Sequence, residues 1–277
     1  MRGNHINQLR MHKKTLILLI MVLLLLTIPA LSHGESEETT IGDIAVLGDS
    51  MTWIGGDSCE NSRGWTHHFV ESAKPSTMTI YARSGATWTN TIRTQGDTSE
   101  YSEVITDENV IYTQSLRLIN DVTNGHRQAP AMVIIYAGAN DAWFAARRPG
   151  IFDDHLKGGK KPSECRSLAT SISLVCDTLS RALPHSRIVM VTPVEMSKVS
   201  AAEIRRVSDI IEREAANHGI VTLRADKELP IKHDIEKRND NGVKRYTTDG
   251  VHTNEAGARL IGSYLSKEIK HIYNQQH

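Results

Sequence analysis

The 277 residues carry 32 basic and 32 acidic side chains, with 39% hydrophobic and 23% charged residues, the balance of a soluble globular protein. No strongly basic face is on offer, which argues against a nucleic-acid partner, and nothing in the charge favours electrostatic membrane docking.

The first stretch is read as a targeting segment. Arg2, Arg10, Lys13 and Lys14 precede the apolar run from Leu16 to Leu26, and Pro29-Ala30-Leu31-Ser32 follows with small residues spaced Ala-x-Ser. This is the layout of a secretory signal peptide over residues 1–32, cleaved near Ser32. The apolar core is shorter than the roughly 20 residues a spanning helix requires; an uncleaved N-terminal anchor is the alternative. Cleavage would leave 28 basic against 32 acidic residues. The expected location is therefore outside the cytoplasm, periplasmic or secreted, with no stable membrane insertion afterwards. Residues 33–40 are polar and read as a flexible lead-in. The remaining 41–277 suit one α/β domain.

Order is expected from Ile41. Ile44-Ala45-Val46-Leu47 is a short apolar run ending in Gly48-Asp49-Ser50, a buried strand entering a turn. Residues 64–73 have apolar positions at helical spacing. Thr77–Tyr81 is the second strand, and Ser84-Gly85-Ala86 follows it. Residues 89–112 are polar without a period and read as a surface loop, before a helix over 115–123. Met132–Tyr136 is the third strand, running into Gly138-Ala139-Asn140-Asp141. Residues 142–162, with Arg147-Arg148 and Gly158-Gly159-Lys160-Lys161, read as a second long loop whose basic pairs are solvated charge. Helices over 164–183 and 199–217 flank the fourth strand, Arg187–Val191, and Ile220–Leu223 is the fifth. Asp249-Gly250-Val251-His252 then precedes a last helix capped by Thr253 or Asn254, with Leu260, Ile261, Tyr264, Leu265 and Ile269 as its apolar stripe.

Short continuous apolar strands alternating with amphipathic helices predict a parallel five-stranded sheet covered on both faces. Reactive groups in such sheets gather at the carboxyl ends of the strands, which puts Ser50, Gly85 and Asn140 on one rim. A serine hydroxyl needs a base, a group that orients the base, and donors for the oxyanion. His252 can be the base. Asp249, three residues earlier on a turn, can hold its Nδ1 and aim Nε2 at Ser50. The Asn140 amide and the Gly85 N–H can be oxyanion donors. Asp49 and Asp141 read as structural, bonding local backbone. A second Gly-Asp-Ser, at Gly56-Asp57-Ser58, follows no strand, so Ser58 is rejected. His67 and His68 read as ordinary helix positions.

In this order, each at a strand end, these blocks resemble the SGNH/GDSL hydrolase superfamily from about Ile41 to the final helix. The resemblance implies a three-layer α/β/α, flavodoxin-like fold. It implies an ester hydrolase in which Ser50 is the nucleophile, His252 the base and then acid, and Asp249 its orienting partner. The N–H groups of Ser50 and Gly85 and the Asn140 side chain would form the oxyanion hole. No metal or organic cofactor is implied.

Three of the four tryptophans, Trp53, Trp88 and Trp143, each stand three residues after a motif residue. They are candidates for an aromatic wall that would suit a sugar, or else they pack the bases of the loops. The substrate expectation is a short acyl ester, such as acetyl on a carbohydrate. A lipase or lysophospholipase, and a non-catalytic carbohydrate-binding protein on the same fold, are the competing readings. The three cysteines cannot all pair. Cys165 and Cys176 are expected on one helix, about 16 Å apart at 1.5 Å per residue. Cys59–Cys165 is the freer pair, and three free thiols are the alternative. No CxxC or His/Cys cluster suggests zinc.

Overall fold

The computed structural model describes residues 41–90, 109–148, 150–153, 165–237 and 245–275. The signal-peptide segment, the lead-in and Gly158–Lys161 lie outside them. Among the described residues no helix is long and apolar enough to cross a membrane.

Five strands form one parallel sheet in the order β2-β1-β3-β4-β5: β1 is Ile44–Gly48, β2 Met78–Ile80, β3 Met132–Tyr136, β4 Arg187–Val191 and β5 Val221–Leu223. The helices are α1 (Ser50–Trp53), α2 (Trp65–Ala73), α3 (Ile111–Thr123), α4 (Ala139–Phe144), α5 (Leu168–Ala182), α6 (Ala201–Asn217), α7 (Ala225–Glu228), α8 (His233–Lys237) and α9 (Glu255–Asn274). Every residue of β1 and of β3 is buried, because helices cover both faces of a parallel sheet. Alternate side chains of these strands therefore enter two separate cores. Ala45, Leu47, Val133 and Ile135 meet the apolar stripes of α3, α5 and α6. Ile44, Val46, Met132 and Ile134 meet α2 and α9 through Trp65, Phe69, Ile261, Leu265 and Ile269. The result is the expected three-layer α/β/α arrangement.

Strand order fixes where a site can form. The chain passes from β1 to β2 on one side, then crosses back to lay β3 on the other, pairing Gly48 with Tyr136 at the far end of the register. The crevice outside the carboxyl ends at such a reversal is where doubly wound sheets bind ligands. α1 leaves β1 and α4 leaves β3 at this point.

The structure corrects several sequence expectations. The third helix begins at Ile111, not 115. Its first turn lies on the core, with Ile111, Tyr112, Gln114 and Ser115 all buried, and that burial stabilises a stretch whose polar composition hides it. The presumed loop from 142 opens with helical turns, α4 and a 3-10 turn over Ala145–Arg147. Arg148 there is buried, not solvated. The Cys59–Cys165 pair does not form. All three cysteines are free and buried, with Cys59 in one core and Cys165 and Cys176 in the other. The sheet stands between them. Cys165 also precedes its helix, which Ser167 caps by accepting from the Thr170 N–H. Asn254, not Thr253, caps α9, accepting from the Gly257 N–H at 3.0 Å.

Candidate active site

Ser50 is placed by the turn that stops β1. The Asp49 carboxylate accepts from the Met51 N–H at 2.9 Å, an N-cap bond that starts α1 at Ser50. Just before it, Gly48 is held at both backbone groups by one side chain. Its N–H donates to Gln114 Oε1 at 2.8 Å, and Gln114 Nε2 donates to its carbonyl at 2.9 Å. β2 has ended by this level, and the buried amide adds to the one bond the chain beyond it still gives, from the Arg83 N–H to the Gly48 carbonyl at 3.2 Å. Gln114 was not foreseen as a site residue. The signal was available: a glutamine on the apolar face of a helix, between Ile111 and Leu118.

His252 reaches Ser50 from the other end of the chain. Its Nε2 lies 3.1 Å from Ser50 Oγ, and its Nδ1 lies 2.7 Å from Asp249 Oδ2. The carboxylate can only accept, so Nδ1 carries the hydrogen and Nε2 is left to accept from the serine hydroxyl. Asp249 Oδ1 accepts from the N–H groups of Val251 at 2.9 Å and His252 at 2.8 Å. Partial burial pushes the Asp249 carboxyl up, but the bonds from the His252 ring and these two N–H groups outweigh it. The group is held below the ordinary carboxylate value. The loop is anchored from beneath by the fully buried Glu236, which accepts from the Tyr246 N–H at 3.0 Å, the Thr247 N–H at 3.1 Å and the Thr247 hydroxyl at 2.5 Å. Glu236 was likewise not foreseen, because its short helix α8 has no apolar period.

Two further blocks converge here. Gly85 sits at φ 73°, a left-handed conformation that glycine adopts at little cost. Among the described residues neither its N–H nor that of Ser50 has a hydrogen-bond partner. Asn140, in the first turn of α4, donates one amide hydrogen to the Ala86 carbonyl at 3.0 Å, which fixes the amide and ties the Gly85 and Asn140 blocks together. Asp141 strengthens the tie, accepting from the Trp88 N–H at 2.9 Å, the Thr89 N–H at 3.0 Å and the Thr89 hydroxyl at 2.7 Å. Arg148, bonded to Thr89 Oγ1 at 2.9 Å, stands 3.7 Å from the same carboxylate. Asp49 thus binds local backbone, as read from the sequence, whereas Asp141 is structural through a segment more than 50 residues away, Trp88-Thr89. Both are buried, and burial raises both carboxyls: Asp49 to about 7, against the Met51 N–H bond, with the charge of Asp141 adding to the rise.

The tryptophans divide. Trp88 is 1% exposed and packs in the core with Ala86 and Ile111, so it lines no open wall. Close packing around the motif loop explains that. Trp53 is half-buried, with the Arg83 guanidinium 4.5 Å from its ring. Trp143 is exposed. Ser58 lies in a turn, exposed and away from any strand end.

The sequence profile of the GDSL-like lipase/acylhydrolase family matches residues 46–260, a span that holds Ser50, Gly85, Asn140, Asp249 and His252. The chain belongs to that family. No curated protein matches it by sequence. Among solved structures, the GDSL-like chain is similar to a lipase/acylhydrolase from Enterococcus faecalis, with 16% identity, TM-score 0.51, and 84% of this chain and 97% of that one covered. It is also similar to an acetyl xylan esterase, with 17% identity, TM-score 0.53, and 82% and 99% covered. A protein from Lactobacillus plantarum is 15% identical, with TM-score 0.54 and 84% and 98% covered. At these identities the likeness is one of fold.

Proposed function

We propose that this GDSL-like protein is a serine hydrolase of carboxylic esters. The observation that carries the reading is the hydrogen-bonded chain Asp249–His252–Ser50, closed across 202 residues of sequence at the ligand-binding end of the sheet. Ser50 Oγ attacks the acyl carbon while its proton passes to His252 Nε2. The carbonyl electron pair moves to oxygen, and the oxyanion is met by the N–H groups of Ser50 and Gly85 and by the Asn140 amide. Asp249 stabilises the imidazolium. Collapse expels the alcohol, which takes the proton from Nε2. Water, activated by the same nitrogen, then attacks the acyl-enzyme and releases the acid and Ser50.

The substrate reading is a short acyl ester, acetyl on carbohydrate. The exposed indole of Trp143 and the half-buried Trp53 support it by offering flat faces beside the motif helices. The acetyl xylan esterase shares the fold. Export through the first 32 residues would bring the protein to such substrates. The test is turnover of aryl esters of two to twelve carbons and of acetylated oligosaccharides. Rates should be highest on acetyl esters, and Ser50→Ala should lower kcat by roughly 10⁴-fold or more with the fold retained. A preference for long acyl chains would replace this substrate class with a lipase-type one. Undiminished hydrolysis by Ser50→Ala would sink the nucleophile itself, and retained sugar affinity without any turnover would make the protein a binder.

A further inference from the structure

On α2, away from the Ser50–His252 chain, three side chains point at one another. His67, His68 and Glu71 each offer a ligand atom, and these atoms all lie within 4.8 Å of one another. His67 Nε2 is 3.4 Å and His68 Nδ1 3.8 Å from the Glu71 carboxylate.

The opposite nitrogens decide the chemistry. His67 Nδ1 is 3.1 Å from the Cys59 carbonyl, and His68 Nε2 is 2.9 Å from the Ser62 carbonyl. Carbonyls only accept, so both of those nitrogens carry hydrogen. In the neutral rings the lone pairs are thereby left on the two nitrogens that face Glu71. Two imidazole lone pairs and a carboxylate then converge with no donor between them. Such an electron-rich set is one that a metal ion would complete. Donation of the outer ring N–H to a backbone carbonyl is also the usual second support of a metal-bound histidine.

We propose that His67, His68 and Glu71 form a binding site for a divalent transition cation of the zinc type, completed by water. Two nitrogens and one carboxylate oxygen suit such an ion and not magnesium or calcium, which take oxygen ligands. The platform is rigid: α2 packs so tightly on α9 that a Cβ at Gly262 would stand 2.8 Å from His68 Cβ. His68 is the fixed member, 4% exposed at its side chain, while Glu71 is 61% exposed and free to close on an ion. The ion would secure the Cys59 and Ser62 carbonyls, which belong to the loop between α1 and α2. The next residue, Arg63, accepts through its carbonyl from Thr253 Oγ1 at 2.6 Å, beside His252. The site thus braces the loop that joins the nucleophile's helix α1 to α2 and that holds Thr253, the residue after the base.

The test is equilibrium dialysis of the chelator-stripped, full-length protein against Zn²⁺ and Co²⁺, with thermal midpoints recorded alongside. Three variants are compared with it: His67→Asn keeps a donor where Nδ1 stands, His68→Gln keeps one where Nε2 stands, and Glu71→Gln alters the carboxylate. Glu71→Gln changes only an exposed group, so its fold is not at risk. The expected result is one ion per chain, a thermal midpoint that rises with Zn²⁺, and binding weakened roughly tenfold or more in each variant. Glu71→Gln should keep the wild-type midpoint without metal. Absence of saturable binding at micromolar metal overturns the site. So does binding that all three variants leave unchanged, or an equal response to Mg²⁺.

Discussion

At the scale of single residues, two carboxylates near Ser50 are tuned in opposite directions. Asp249 is half-exposed, satisfied by three hydrogen bonds and held low. Its replacement Asp249→Asn should keep acceptors for the backbone N–H groups but turn an amide toward Nδ1, favouring the wrong tautomer. A loss in kcat of roughly 10³–10⁴-fold on an aryl acetate is expected; an effect below tenfold would show that solvent can do the orienting. Asp49 is buried, and that burial raises its carboxyl to about 7. The sign follows from linkage. Between the ordinary value of 3.8 and about 7, the unfolded chain is ionised at this position and the folded chain is not. Asp49's contribution to stability is therefore full below the lower value and lost as pH rises through the upper one, at up to about 1.4 kcal/mol per pH unit. Asp49→Asn retains the cap oxygen and removes that loss. Urea midpoints at pH 4.5 and 7.5 should lie closer together in the variant than in the wild type. An unchanged gap would place the pH dependence on Asp141, which burial also raises.

At the scale of elements, the contact between α2 and α9 is set by a single missing side chain. A Cβ on Gly262 would stand 2.6 Å from the Trp65 carbonyl oxygen and 3.0 Å from the Phe69 nitrogen. Alanine gains about 1 kcal/mol of helix propensity over glycine, but overpacking costs about 1–3 kcal/mol, and backbone atoms cannot swing aside. Gly262→Ala should therefore lower the urea midpoint with an unchanged m-value. A stabilised variant would mean that the two helices part freely. The three central strands, β1, β3 and β4, were legible in the sequence because burial on both faces writes them as apolar runs; the short edge strands β2 and β5 carry Thr79 and Thr222 and are partly exposed. The longer helices were legible because one face is apolar. Ser50, Gly85 and Asn140 were legible because each follows a strand. What stayed hidden depends on three-dimensional neighbours. Gln114, Glu236 and Arg148 are polar residues that are buried against partners outside their own helical turns, Gly48, Tyr246-Thr247 and Thr89. Trp88 shares its spacing with Trp53 and Trp143, yet it fills a core that spacing cannot reveal.

At the scale of the whole molecule, the sheet partitions the thiols as it partitions the cores. Cys59 lies on one side and Cys165 and Cys176 on the other, and all three are free, so no crosslink takes part in stability. The thermal midpoint should be the same with and without a reductant, and labelling by a thiol reagent should proceed only on unfolding. A midpoint that falls with reductant would require a disulfide and a different arrangement of these residues. The separation of Ser50 from His252 by 202 positions bears on the order in which the polypeptide is made. During synthesis the serine emerges early, and its turn can form with β1, but no imidazole reaches it until nearly the entire domain has left the ribosome. A nascent or truncated chain holds an inert hydroxyl. On the proposed chemistry, hydrolytic competence is the last property the polypeptide acquires, and its appearance would time the completion of folding.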